Sequence, residues 1–226
     1  MINISKTEVL GWEHAIRGMR NPLNSWDKSD SALCKRNYED CYVEPTCDCP
    51  KDGYFDDDYY CIGMNDFDLM KRLAGAGSDH GKYRRMIVVY ADINAPLYWW
   101  KEYDTYKVGT VANSCSTMHK IQSKEFTLDD FSHDQMAHDS VNVLKIVINE
   151  LNKRRKLFIQ EKNKSDWWQM IQLLPTSYNQ KRTVMLNYEV LANMYHSRKN
   201  HKLDEWREFC KWVKTLPYSE IITGGV

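Results

Sequence analysis

The stretch Asn187-Tyr188-Glu189-Val190-Leu191-Ala192-Asn193-Met194-Tyr195-His196-Ser197-Arg198 sets two amides and one arginine at defined steps among apolar residues. These types suit a polar, planar ligand. An amide donates and accepts at once, and a guanidinium offers parallel donors to carbonyl oxygens. The apolar spacing predicts an amphipathic helix. Asn187 and Arg198 are eleven residues apart. That is about three turns, which puts them within about 20° of one face and about 16 Å apart along the axis. Asn193 falls on a different flank. A helix that is polar on two flanks suits a place where several chains or helices meet; it equally suits a surface helix facing water.

Other residue groups carry chemistry less specifically. Cys34, Cys41, Cys47, Cys49 and Cys61 lie close together, and thiolates at short spacing are what tetrahedral zinc takes. Their spacing fits no regular finger, so reduced structural or surface thiols are the plainer expectation. The pairs His133/His138 and His196/His201 are five apart, a step that does not stack on one helical face. The run Asp56-Asp57-Asp58 lacks the alternating ligands and glycine of a calcium loop and reads as a solvated acidic segment. Cys115, in Asn113-Ser114-Cys115-Ser116-Thr117, is either a reactive loop thiol or an inert one. Glycine-rich dinucleotide and P-loop motifs are absent, as is the nucleophile elbow of the α/β hydrolases.

The elements that must position these residues follow from periodicity and punctuation. A short strand leads into a helix around Trp12–Arg17, which Pro22 ends. Residues 26–62 hold five of the seven cysteines and read as an irregular insertion. Asn65-Asp66 is the expected cap of a helix through Phe67 to Leu73, broken by Ala74-Gly75-Ala76-Gly77-Ser78. Met86–Ile93 reads as a strand and Pro96 as the start of a helix from Leu97 to Tyr103. Lys107–Ser114 reads as a loop, and Asp129-Asp130 as the start of a long helix with Val141, Leu144, Ile148 and Leu151 on its core side. Ser165-Asp166 caps a helix that Pro175 stops, and a last helix carries Leu203, Trp206, Phe209, Cys210 and Val213. The pattern is α+β, helix-rich with few strands, over one domain of 226 residues.

Composition narrows the function classes. Formal net charge is zero, which argues against bulk binding to nucleic acid or an anionic membrane. No apolar run reaches the ~20 residues of a membrane span, and Met1–Lys6 has no signal-peptide core. A cytoplasmic location with reduced thiols is therefore expected. Eight Trp and fourteen Tyr suggest a large oligomer interface or a planar ligand.

Taken in order along the chain, several segments resemble the flavin-dependent thymidylate synthases. Trp12–Arg20 is similar to that family's N-terminal helix, and His80 falls at its Gly-His segment. Met86–Pro96 and Leu97–Tyr103 are similar to its strand, Ala-Pro and helix before the Arg-His-Arg motif. Leu174-Pro175, Asn187–Arg198 and Glu205-Trp206-Arg207 resemble its C-terminal signature. The resemblance implies an α+β fold with a small antiparallel sheet, assembled as a homotetramer. It implies FAD as cofactor, a pyrimidine nucleotide such as dUMP as substrate, and methylenetetrahydrofolate and NADPH as co-substrates. It places His80, Tyr106, Lys107, Asn187 and Asn193 toward the flavin. It places Glu102, Cys115, Thr117 and Arg198 toward the nucleotide, with Arg198 holding the pyrimidine edge and carrying the catalytic assignment.

The departures concern charge. Thr105-Tyr106-Lys107 stands where the family has Arg-His-Arg, Glu102 where it has Gln, and Thr117, Ile171 and Glu189 where it has Arg. Each lost cation removes a charge-assisted hydrogen bond worth about 1.5–3 kcal/mol. Lys101, Lys107 or Lys120 are the available replacements, as point charges and not forks. Two readings follow: a divergent enzyme acting on a pyrimidine nucleotide or related substrate, and a non-catalytic relative binding a nucleotide or protein partner through a remodelled pocket.

Overall fold

The computed structural model describes residues 2–34 and 59–224. Four strands, β1 (Asn3–Leu10), β4 (Val88–Pro96), β5 (Thr110–Ser114) and β6 (Asn179–Asn187), form one sheet in the order β1-β4-β6-β5. All neighbours are antiparallel. Side chains alternate across a strand, so Val89, Ala91, Ile93 and Ala95 of β4 fall on one face with Val184 and Leu186 of β6. All six are buried. Tyr90, Val111 and Met185 lie on the other face, where Tyr90 and Val111 are exposed.

The buried face is covered by helices whose apolar spacing was legible. Helix α1 (Trp12–Arg20) buries Trp12, Ala15, Ile16 and Met19, a stripe at helical spacing. Gly11 starts it at φ +96°, with its Cα against Met86: a Cβ there would lie 2.1 Å from the Met86 carbonyl oxygen. Helix α4 (Leu97–Tyr103) follows Pro96, its N-cap, as expected. Helix α7 (Tyr188–Arg198) and α8 (Asp204–Val213) complete the layer, with Trp206, Phe209, Cys210 and Val213 of α8 inward. A second apolar cluster joins α5 (His138–Glu161) to α6 (Lys164–Leu173) through Leu144, Ile148, Leu151 and Met170.

Much of the aromatic excess goes into this chain's own core. Trp99, Trp100, Tyr103, Trp206 and Phe209 form one cluster of edge-on and tilted contacts, with centroids 4.8–5.7 Å apart.

Several expected boundaries move. Lys107–Ser114 is not all loop: Thr110–Ser114 is the edge strand β5. Its small polar residues hide it, and its short length is one of the ways edges limit further pairing. β6 has no alternating apolar signature in its first half, because Gln180 is buried there and satisfied by polar contacts. Helix α2 (Met64–Gly75) is capped by Gly63 and not by Asn65-Asp66. Asp66 instead points inward to Arg20, at 2.6 Å. Asp129 and Asp130 belong to a short 3₁₀ turn closed by a Thr127 capping box, and the long helix begins at His138. The α6 cap is Asn163, whose side chain accepts from the Ser165 N–H.

The insertion is anchored at both ends. β2 (Ala32–Cys34) pairs with β3 (Tyr59–Cys61). Cys41, Cys47, Cys49 and the run Asp56–Asp58 lie outside the described residues. Among the described residues, no group of three His, Cys, Asp or Glu is placed to hold a metal ion, and no helix is long and apolar enough to cross a membrane.

Candidate functional site

Arg198 closes α7 and Glu102 sits in the last turn of α4, and packing of α7, α4 and α8 brings them together. Arg198 Nη1 donates to Glu102 Oε2 at 2.8 Å, and Nε donates to the Tyr106 hydroxyl at 2.9 Å. The guanidinium carbon lies 4.9 Å from the Trp206 ring centroid and 5.6 Å from that of Tyr106. Stacking on aromatic faces adds cation–π attraction and fixes the fork's plane. Glu102 Oε2 also accepts from Trp206 Nε1 at 3.0 Å and lies 3.4 Å from His201 Nε2. His201 Nδ1 accepts from the Leu203 N–H. With Nδ1 accepting, Nε2 is the nitrogen that faces Glu102 as a donor. One carboxylate and one guanidinium thus balance at a corner that is partly open: the Arg198 side chain is 20% exposed and that of Glu102 33%.

The structure separates the remaining sequence candidates. Asn187 is not on the helix face it was expected to share with Arg198. It is the N-cap of α7, and its side-chain oxygen accepts from the Val190 N–H at 2.9 Å. Its Nδ2 packs on Gly109, where an added Cβ would come within 2.6 Å of it. Only Gly tolerates that approach at φ +83°. Asn193 is exposed on α7, about 140° around the helix from Arg198. It shares a flank with Glu189, about 40° away. Glu189 is ion-paired with Arg84 at 2.8 Å, both nearly buried. That pair gives Glu189 a cationic partner within its own chain. His80 is exposed on the short helix α3 (Ser78–Gly81), beside the 3₁₀ turn that carries Arg84. Lys107 is exposed in the segment between Tyr106 and Gly109.

Cys115 and Thr117 lie beyond the far end of β5. They line a cleft of about 410 Å³ with Lys120, Lys124, Tyr178 and Lys181. The Cys115 thiol is exposed and free, and its carbonyl accepts from Gln180 Nε2. Lys124 is paired with Asp130, and Lys181 with Asp92 at 2.9 Å. Strand β5 runs from Thr110, whose hydroxyl donates to the Tyr106 carbonyl, to Ser114 beside this cleft. Ile171 packs against the second apolar cluster. Glu205, in the C-terminal signature, is buried and accepts a short hydrogen bond from the Tyr98 hydroxyl. Burial and that carboxylate push the Tyr98 hydroxyl's pKa up.

Sequence reasoning missed His201 as a partner of Glu102. The available signal was its place three residues after Arg198, just past the helix end.

No family model matches this chain, and no curated protein sequence matches it. Solved structures do. Over 98% of this chain and 96% of the other, it is similar to Thymidylate Synthase X (ThyX) from Helicobacter pylori, crystallised with FAD and dUMP, at a TM-score of 0.65 and 14% identity. A second structure, the flavin-dependent thymidylate synthase of the same organism complexed with FAD and dUMP, is matched at 0.64 and 15% identity, over 97% and 96% of the two chains. The fold is therefore that of the flavin-dependent thymidylate synthases, helix-rich with a small antiparallel sheet.

Proposed function

We propose that this protein is a divergent flavin-dependent thymidylate synthase-like enzyme, acting on a pyrimidine nucleotide such as dUMP or a related substrate. The observation that carries the reading is the extent of the likeness: the fold is shared over 98% of the chain with a protein crystallised with FAD and dUMP. The polar corner around Arg198 supports it. An arginine stacked on Trp206, with part of its fork still open, suits a planar base with carbonyl oxygens. In this reading the protein is a cytoplasmic homotetramer. The Cys115/Thr117 cleft and the Arg198 corner, separated along β5, serve one nucleotide through different subunits.

The donor set fits FAD in part. His80, Lys107 and Asn193 are exposed and available. Asn187 has committed its oxygen to Val190 and keeps only its N–H donors. Bound flavin, once reduced by NADPH, would supply hydride to the one-carbon unit that methylenetetrahydrofolate donates. The chain's own contribution is positioning: Arg198 holds the base edge, and Lys107 offers a single cation where the family has two arginines.

A second reading has its own observation. Arg198 is already engaged by Glu102, which favours a non-catalytic relative that binds a nucleotide or protein partner. The visible absorption spectrum of the protein purified from cells separates the two. A bound-flavin spectrum with FAD released on denaturation supports the enzyme. A colourless protein that takes up no added FAD leaves the binding module.

A further inference from the structure

Among the described residues, the three polar contacts of the Glu102 side chain, from Arg198, Trp206 and His201, converge on Oε2. A carboxylate has about four acceptor positions over its two oxygens, so Oε1 retains acceptor capacity. Arg198 commits Nε to Tyr106 and Nη1 to Glu102. A guanidinium has five N–H donors, so donor capacity remains beside that acceptor. Both side chains are partly exposed and both are held in place, Arg198 by two hydrogen bonds and two rings, Glu102 by three donors. The corner therefore leaves donor capacity on Arg198 and acceptor capacity on Glu102, two side chains paired at 2.8 Å and both partly exposed.

We infer that Glu102 and Arg198 act as one reader for the –CO–NH– edge of a neutral heterocycle, with Arg198 donating to the carbonyl and Glu102 Oε1 accepting from the adjacent N–H. This rests on the flavin and pyrimidine reading above and makes Glu102 a specificity-determining residue within it. A phosphate or carboxylate offers only acceptors and would set its charge against Glu102, so the anionic end of any ligand is turned away from this corner. Two ligand sources share the required chemistry: a uracil-type base, and the pyrimidine ring of the flavin itself.

The test is calorimetric titration of the full-length protein with 2′-deoxyuridine and its N3-methyl derivative, and with riboflavin and its N3-methyl derivative. For the ligand that occupies the corner, methylation removes the N–H and weakens binding about tenfold or more, the loss of one charge-assisted hydrogen bond. In Glu102→Gln, the amide oxygen must serve Arg198 and Trp206, and its NH₂ faces the ligand. There the parent compound weakens until parent and methyl derivative differ by less than about threefold. Arg198→Lys keeps a cation beside Glu102 and removes the fork, so it weakens the parent compound while the melting temperature falls by no more than about 4 °C. Which pair of ligands shows the methyl penalty identifies the source. Equal binding of parent and methyl derivative in the wild-type protein overturns the edge reader and leaves the proposed function standing. Absence of binding by deoxyuridine, dUMP, riboflavin and FAD alike overturns both.

Discussion

Two arginine–carboxylate pairs in this molecule are alike in length and opposite in surroundings. Arg20 Nε donates to Asp66 at 2.6 Å, with side chains 5% and 0% exposed. The rest of the Arg20 fork donates to the carbonyls of Ser25 and Lys28, and Asp66 takes further bonds from the Ser29 and Ser31 hydroxyls and the Asp30 N–H. Arg198–Glu102 is 2.8 Å long but 20% and 33% exposed, and both partners retain capacity. The first pair is saturated by its own chain and ties α1 and α2 to the base of the insertion. The second is held at one side and open at the other. The buried pair has no capacity left for a further partner, and the open one does.

The largest expected effect tests the first pair. Asp66→Asn leaves the Arg20 charge buried without its partner and should cost about 3–5 kcal/mol of stability, read as a lower urea midpoint. A loss below about 1 kcal/mol would place this pair with the surface pairs and dissolve the contrast.

Arg198→Ala should show the reverse pattern. The partly solvated pair contributes about 1 kcal/mol or less to stability, while turnover, or nucleotide affinity if there is no turnover, falls more than tenfold. Unchanged affinity for every nucleotide tried would remove the Arg198 corner from the site.

Acid should act through Asp66. Burial works against its charge, but hydrogen bonds from Ser29, Ser31 and Arg20 outweigh burial and hold the carboxyl below its ordinary value. A carboxyl depressed in the folded state contributes stability that is present above the unfolded value, about 3.9. That contribution is lost as pH falls through the folded value. Denaturant melts across that range should therefore show stability dropping below about pH 4, and the drop should be shallower in Asp66→Asn.

The smallest effect concerns the thiols. Brief iodoacetamide treatment of the native protein should label exposed Cys115 and spare buried Cys210, whose thiol burial pushes up to about 11. Peptide mass spectrometry reads the outcome. Labelling of Cys210 at the Cys115 rate would show that α8 opens readily.

Much of the layer that carries the site could be read from short-range pattern. The spacing of Trp206, Phe209, Cys210 and Val213 located α8, Pro96 located the start of α4, and the β-branched run from Ile87 located β4. These signals are local, because a helix face or a strand face repeats within a few residues. The edge strand β5 and the polar half of β6 were not legible, because their identity comes from the strands they pair with. Asn187 shows the same limit within the site. Its residue type allows a ligand contact or a cap, and only the chain's turn from β6 into α7 makes it a cap.

By itself the sequence determined which groups exist: one arginine at the end of a mostly apolar helix, a Glu at 102 and a Lys at 107. It also determined the helices that carry them. Only the tertiary structure decided that Glu102 and Arg198 meet across 96 residues, that Glu189 is matched by Arg84, and that Cys115 and Thr117 lie at the other end of β5. The physical reason is range. Propensity and periodicity act over a few turns, whereas an ion pair between distant segments depends on how the whole sheet and its helices close.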